Sequence, residues 1–535
     1  MSTKKEKFYI TTSIPYLNAA PHLGHALEFV QADILARHAR LRGKDVFFLT
    51  GADEHGAKIA RAAEAAKKTP KEFTDGKVGL FLELLKKLNI SNDDFIRTTD
   101  QKRHWPGAQL LWEKLKAAGD LYKGRYKGLY CVGHEAYITE KDLKDGLCED
   151  HKKAPEALDE ENYFFKLSRY KDKLKKIIEN GEIEILPEFR KRETLNMLEE
   201  IGDVSFSRPS KDISWGIPVP DDATQTMYVW CDALSNYITA LGYGQEPREN
   251  AKRFSTWWPA GVHVVGKDIF KFHAIFWPAM LISAGLPLPK TIFIHGFIHV
   301  RGEKMSKSTG NVVDPQPLIE KYGKEAVRFY LAHEVSTFAD GDFTEKRFDE
   351  VYEGVLVNGL GNILSRTVKM MSSFPSIPKP DEHDLGRFPI RKNLDFIKNG
   401  KGQISVEEIS PVSLVDSFVW QEYKKAMEEM QIANAIEITF TFLRRLDEYI
   451  EDYKPYKMLK TDPESAKIIL WHLAYSLASA AWMLKPFLPE TSDKTLKALG
   501  VDPDSKEEWR EFSAKSGSAF GGNAGEAIHL FPRIK

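Results

Sequence analysis

Apolar positions in the first fifty residues follow two different periods. Residues 8–12 form a short β-prone run. Residues 23–41 repeat apolar side chains at helical spacing through Leu27, Val30, Ile34 and Leu35. Gly43 stops that pattern, and residues 46–50 form a second buried strand. The order predicts a βαβ unit that opens a doubly wound parallel sheet. Helical patterns continue to about Ala118. Across 122–220, short glycine-bounded runs and charge-rich helices replace the alternation, and the stretch reads as an insertion. Strand-like patterning returns at Thr226 with MYVW. A helix is expected from Ala233, then the strand-length runs VHVVGKDI and TIFIHGFI. After Phe343 the strands stop. Amphipathic helices are expected over 348–373, 414–446 (with interior breaks) and 466–484, with a proline-, glycine- and charge-rich connection over 376–410. The expected fold class is α/β: a split Rossmann-like parallel sheet (1–118 and 225–300) with an inserted connective domain (119–224), a loop region (301–347) and an all-α helical bundle (348–535).

A chain of 535 residues is too long for one hydrophobic core, which fits this multi-domain reading. With 42% hydrophobic and 29% charged residues, the balance is that of a globular chain. No apolar run approaches the roughly 20 residues that span a bilayer. The start, MSTKKEKFYI, lacks a signal-peptide core. A cytoplasmic location with no membrane partner is therefore expected. Three cysteines exclude a disulfide framework. The net charge of -1 does not by itself favour nucleic-acid binding, which needs only a local basic face.

Two short motifs carry chemistry. His22-Leu23-Gly24-His25 stands where the first helix begins, with its histidines three apart and so on one helical face. Helix N-termini attract anions, glycine lets a nucleotide approach the backbone, and two imidazoles can donate to phosphate as charge develops. Taken alone, the motif is equally compatible with two unrelated helix-end histidines. Lys304-Met305-Ser306-Lys307-Ser308 lies between Gly302 and Gly310, a loop whose lysines can neutralise a leaving pyrophosphate. Together, in this order around the sheet, the motifs point to nucleotidyl transfer from ATP.

HLGH and KMSKS resemble the HIGH and KMSKS elements of the class I aminoacyl-tRNA synthetases, and the resemblance covers nearly the whole chain. It implies ATP and Mg²⁺, with His22, Gly24, His25, Lys304, Ser306 and Lys307 on the phosphates and Gly266 and Asp268 near the adenosine. It also implies that His22, His25, Lys304 and Lys307 are catalytic. Four segments, SIPYLNAAPHLGH, TGADEHG, VWCDALSNYI and GKDIFKFH, resemble the methionyl branch of that family. By that resemblance Asp53 pairs with the ammonium of L-methionine. Ile14, Tyr16, Trp230, Ala233, Tyr237, Ile269 and His273 form the side-chain pocket, where sulfur meets aromatic edges. The implied activity joins methionine to tRNA(Met). Each aromatic, taken singly, reads as core packing, and only the surrounding motif overturns that. Leu234 stands where the family usually has proline. Without the family, a small-molecule nucleotidyltransferase or a non-catalytic RNA-binding relative remains open.

Within the insertion, Cys131-Val-Gly-His134 and Cys148-Glu-Asp-His151 have the two-residue gaps of a metal knuckle, a set suited to structural Zn²⁺. The family usually has cysteine at the place of His134, and a metal-free insertion is the alternative. Cys231 reads as a core thiol. The resemblance makes 301–347 the KMSKS loop and stem-contact region and 348–535 the anticodon-binding domain. Asn358, Asn362 and Arg366, spaced four apart on one stripe, and Tyr456, where tryptophan is usual, would read anticodon bases. No segment resembles a further dimerising domain, so a monomer is expected.

Overall fold

The computed structural model describes residues 5–131, 136–138, 140, 143–148, 153–211, 213, 215–245, 248–305, 310–390, 409–504, 520 and 529–534. They fall into two compact units. One comprises 1–21, 45–86 and 90–295, the other 22–44, 87–89 and 296–535.

In the first unit, strands β1 (Lys7–Thr12), β2 (Asp45–Ala52), β3 (Asp94–Arg97), β4 (Glu184–Leu186), β5 (Val262–Gly266) and β6 (Thr291–His295) form one sheet in the order β3-β2-β1-β5-β6-β4. Every neighbouring pair is parallel, with Ile10 opposite Val262 at the centre. β5 and β6 are buried along their whole lengths, as parallel strands covered on both faces should be. From β1 the chain builds outward to β2 and β3 on one side and later to β5 and β6 on the other. The order therefore reverses between β1 and β5, and ligands of such sheets bind beyond the strand C-termini at that point.

Residues 94–97 lie in a stretch read as helical yet form β3, and two further features depart from the sequence pattern. Residues 184–186 lie within the stretch read as an insertion, yet they form an edge strand of the parallel sheet through Ile185 opposite Ile292. Three residues are too few to show a period. MYVW is not a strand of the main sheet. Asp222–Met227 pairs antiparallel with Ser207–Pro209 and Pro218–Val219, and the chain enters a helix over Val229–Thr239. The β-prone Val229 and Trp230 are drawn into its first turn because that helix buries nearly every residue. Within the insertion, Leu121–Cys131 and Glu156–Phe165 pair as a long antiparallel ribbon.

In the second unit, helix α1 (Leu23–Leu41) packs with α2 (Lys324–His333). A small sheet joins Ile298–Val300 to Glu303–Lys304 and to Gly341–Phe343. The C-terminal part is helical, including α3 (Asn362–Met371), α4 (Ile432–Tyr453), α5 (Pro455–Thr461) and α6 (Pro463–Leu484), with α6 almost wholly buried. The helix expected over 348–373 is continuous, but Tyr352–Gly361 is π-helical. A buried ion pair ties α1 to α2: Arg328 lies 2.8 Å from Asp33, and both are fully buried. Arg328 also donates to the carbonyls of Phe487, Leu88 and Pro486 at 2.8, 3.1 and 3.0 Å.

His333 joins α2 to α4, with Nδ1 2.8 Å from Glu334 and Nε2 2.8 Å from Glu437. Burial pulls its pKa down, but hydrogen bonds and charge from the two glutamates more than offset this and raise it above 6.5. Its contribution to stability is fully present below the unfolded value and disappears as pH rises through the folded one. Glu437 behaves oppositely: burial opposes ionisation, yet His333 and Arg444 hold it down to about 2, so it stays charged throughout this window. We expect His333→Gln to be less stable than the parent at about pH 5.5 and nearly equal to it at about pH 8.5. Thermal unfolding at the two pH values checks this.

Candidate active site

The C-terminal ends of β1, β2 and β5 in the first unit hold a connected set of side chains. Beyond β1, Tyr16 forms a parallel bridge with Asp53 beyond β2. Leu17 N–H donates to the Asp53 carbonyl at 3.1 Å, and Asp53 N–H donates to the Pro15 carbonyl at 2.9 Å. Asp53 is buried, while Ile14 and Tyr16 are half-buried. Gly51 permits this approach, because a Cβ there would stand 2.3 Å from the Ile96 carbonyl oxygen and 2.8 Å from Ile14 Cγ2.

The helix over Val229–Thr239 carries Trp230, Ala233 and Tyr237 at i, i+3 and i+7, a single helical face. The Trp230 ring stacks on Phe272 at 3.7 Å and 8°, and meets His273 edge-on at 6.3 Å. Tyr237 Oη lies 2.7 Å from His273 Nε2, and His273 Nδ1 lies 3.0 Å from the Ile269 carbonyl oxygen. A carbonyl only accepts, so Nδ1 carries the proton and the Tyr237 hydroxyl donates to Nε2 of the neutral ring. His263 adjoins the Tyr237 ring at 4.3 Å, and burial, helped by His273, holds its pKa far below the usual histidine range. The result is an aromatic wall suited to a soft apolar side chain that carries a thioether sulfur. His273 sits in a π-helical turn, Phe272–Phe276, which a 3.6-residue pattern does not reveal. Beyond β5, exposed Asp268 folds beside Gly266, where an added Cβ would stand 2.9 Å from its Oδ1.

In the second unit, the histidines of HLGH cap their own helix. His22 Nδ1 accepts from Gly24 N–H and His25 Nδ1 accepts from His22 N–H, both at 3.1 Å. The two rings stack 3.8 Å apart. With both Nδ1 atoms accepting, the proton of each neutral ring is on Nε2. Gly24 leaves room for this fold-back: a Cβ there would meet the His22 ring at 3.0 Å. The same Cβ position is 3.7 Å from Met305 Cε, and Leu23 N–H donates to the Val313 carbonyl at 2.9 Å. Lys304 pairs with His299 across a hairpin, and its Nζ lies 4.5 Å from the centre of the Phe297 ring. The structure thus brings the start of HLGH and the start of KMSKS together. Ser306 and Lys307 lie outside the described residues.

Family models match this arrangement in two parts. The model described as "tRNA synthetases class I (M)" matches residues 8–150 and 138–368, and "Anticodon binding domain of methionyl tRNA ligase" matches 408–528. The chain belongs to the class I (M) tRNA synthetases. It is similar to the methionine–tRNA ligase of Brucella suis biovar 1, with 39% identity covering 94% of this chain and 93% of that protein. It is 41% identical to the methionine–tRNA ligase of Clostridium acetobutylicum, covering 99% of this chain and 79% of that one. A solved structure, Mycobacterium tuberculosis methionyl-tRNA synthetase in complex with methionyl-adenylate, superposes with a TM-score of 0.87 at 34% identity, over 99% of this chain and 100% of that one.

Other residues singled out by resemblance to this synthetase family are placed as follows. Asn358 lies in the π-helical turn and is exposed, as is Asn362; Arg366 is half-buried and pairs with Asp447 and Glu451. Tyr456 is 42% exposed on α5, which packs against α3. Cys131 and Cys148 come together in a small buried cluster with Ile138. His134 and His151 lie outside the described residues. Cys231 is buried in the core, and burial pushes its thiol pKa well up. Leu234 is also in the core. The reading from sequence missed His55, Asp232 and His104. His55 Nδ1 and His104 Nε2 lie 2.6 and 2.7 Å from the two oxygens of buried Asp232. Their one sequence signal is position, since His55 and Asp232 fall inside TGADEHG and VWCDALSNYI.

Proposed function

We propose that the chain is a methionine–tRNA ligase, acting as a monomer in cytoplasmic translation. The carboxylate of methionine attacks the α-phosphorus of ATP. Methionyl-adenylate forms and pyrophosphate leaves, and the methionyl group then passes to the 3′-terminal adenosine of tRNA(Met). The observation that most supports this is the pairing of the HLGH helix start with the Met305 hairpin, in a chain whose relatives of near-equal length carry this name.

In this reading, Nε2–H of His22 and of His25 donates to phosphate oxygens as negative charge builds at the α-phosphorus. Lys304 and Lys307, with Ser306, hold the departing phosphates, and Gly266 and Asp268 contact the adenosine. Mg²⁺ bound with the nucleotide would supply further charge neutralisation. Asp53 takes the substrate ammonium. Trp230, Tyr237 and His273, with Ile14, Tyr16, Ala233 and Ile269, enclose the thioether. Charging assays test the whole reading. Labelled methionine, but not leucine or valine, should appear on tRNA in an ATP-dependent way; equal charging with the other amino acids contradicts it.

We assign a structural zinc ion to Cys131, His134, Cys148 and His151. Two thiols in one buried cluster suit this soft, tetrahedral ion, and no catalytic step depends on it. The purified chain is expected to carry zinc in near-stoichiometric amount and Cys148→Ser to lose it, as read by metal analysis. Equal metal content in both proteins contradicts the assignment.

For the anticodon, Asn358, Asn362 and Arg366 present polar groups and Tyr456 an open ring face. Tyr456→Ala is expected to remove one stacking contact of about 1–3 kcal/mol. That raises the KM for tRNA by roughly 5- to 150-fold and leaves methionine-dependent ATP–pyrophosphate exchange unchanged.

A further inference from the structure

His55 lies two residues beyond Asp53 and is 2% exposed. Its Nδ1 lies 2.6 Å from Asp232 Oδ2. The other oxygen, Oδ1, is 2.7 Å from His104 Nε2, and His104 Nδ1 is 2.8 Å from Thr239 Oγ1. The polarity of this chain follows from what each group can do. Burial alone would keep Asp232 protonated, but the two histidines more than offset it and hold the carboxyl below its usual range. An ionised carboxylate only accepts, so both imidazoles donate to it. His104 Nδ1 then faces the Thr239 hydroxyl, and His55 keeps Nε2 for a contact other than Asp232. Among the described residues that atom has no hydrogen-bond partner, although it is buried. Trp105 and Trp215 hold the ring edge-on at 6.1 and 5.1 Å.

Such a cluster is costly as mere filler. A buried carboxylate carries a desolvation penalty, and an unpartnered buried ring nitrogen adds to it. Its position gives it a use. Asp53 and His55 share the segment that leaves β2. Asp232 and Thr239 lie on the Val229–Thr239 helix, whose other face carries Trp230, Ala233 and Tyr237. His104 directly precedes the helix Trp105–Ala117, which packs on that same helix. The contact is close: a Cβ on Gly107 would stand 2.6 Å from Thr239 Cγ2. The His55–Asp232 contact therefore joins the ammonium-binding segment to the side-chain-binding helix.

We infer that His55, Asp232 and His104 form a positioning relay that sets Asp53 against the Trp230–Tyr237 face, so that both ends of the amino acid are gripped at once. The relay rests on the proposed methionine-activating function. His55, Asp232 and His104 are positioning residues; Asp53 and the aromatic wall make the contacts to substrate. The relay governs binding of the amino acid and not of the nucleotide.

The test is methionine-dependent ATP–pyrophosphate exchange by the full chain, with KM measured separately for methionine and ATP. His55→Ala should raise the methionine KM about ten- to a hundredfold, the range for loss of a supporting contact. The KM for ATP should stay within twofold. Asp232→Asn should behave alike, because its amide presents a donor to a donating imidazole. Two conservative variants separate relay from packing. An asparagine amide nitrogen falls where Nδ1 was, and a glutamine's where Nε2 was. His55→Asn should therefore recover most of the methionine KM, and His55→Gln should not. Thermal unfolding of the Asn and Gln variants, expected to agree within a few degrees, shows whether a stability difference explains the split. The relay is overturned if Gln recovers binding as well as Asn, if the ATP KM rises in parallel, or if His55→Ala stays within twofold of the parent. If the parent itself shows no methionine-dependent exchange, the function is wrong and the relay falls with it.

Discussion

A His25→Ala variant is expected to lose about 10²–10³ in the kcat of methionine-dependent exchange, the loss that follows removal of one preorganised donor to developing negative charge. The basis is the direction of the ring. His25 Nδ1 is occupied by His22 N–H, which commits Nε2–H to donation. Such a donor is worth most where water is excluded, because it needs no reorganisation when charge appears. The capping role is the competing explanation, and loss of a cap costs about 0.5–2 kcal/mol of stability. The two separate cleanly: a cap defect lowers the unfolding temperature, whereas a lost donor lowers kcat and leaves the methionine KM nearly unchanged. A fall in kcat of less than tenfold removes His25 from the chemistry.

Arg328→Ala should be the most destabilising single change in the second unit. The guanidinium meets Asp33 and three backbone carbonyls without exposure to solvent. Removing it leaves a buried carboxylate short of one partner and three carbonyls unsatisfied, a loss of about 3–5 kcal/mol. Arg37, 2.7 Å from Asp33 on the same helix, retains part of the pairing. Arg328→Lys keeps the charge but lacks the planar fork and should fall between parent and Ala. Urea denaturation followed by tryptophan fluorescence ranks the three. If Ala unfolds at the parent's midpoint, the buried pair contributes nothing.

How far these features can be read from the chain depends on their range. Helix α1 was legible to the residue, because its apolar period runs unbroken between His22 and Gly43. β1 and β5 were legible because each is a compact apolar run closed by polar residues or glycine. MYVW misled because tyrosine, valine and tryptophan favour strands, while burial of a whole helix outweighs that preference. The π turns that carry His273 and Asn358 lie outside any 3.6-residue template. His55, Asp232 and His104 are distant in sequence, and only the fold brings them together. For the side chains around Tyr237, motif resemblance supplied the names and an expected role; the contact of the Tyr237 hydroxyl with His273 Nε2 required geometry.

The central claim is that this chain activates methionine, and exchange of labelled pyrophosphate into ATP tests it most directly. With each of the twenty amino acids supplied singly and no tRNA present, exchange should appear with methionine and stay near background with the rest. Exchange driven equally well by another amino acid, or independent of any, would contradict the account.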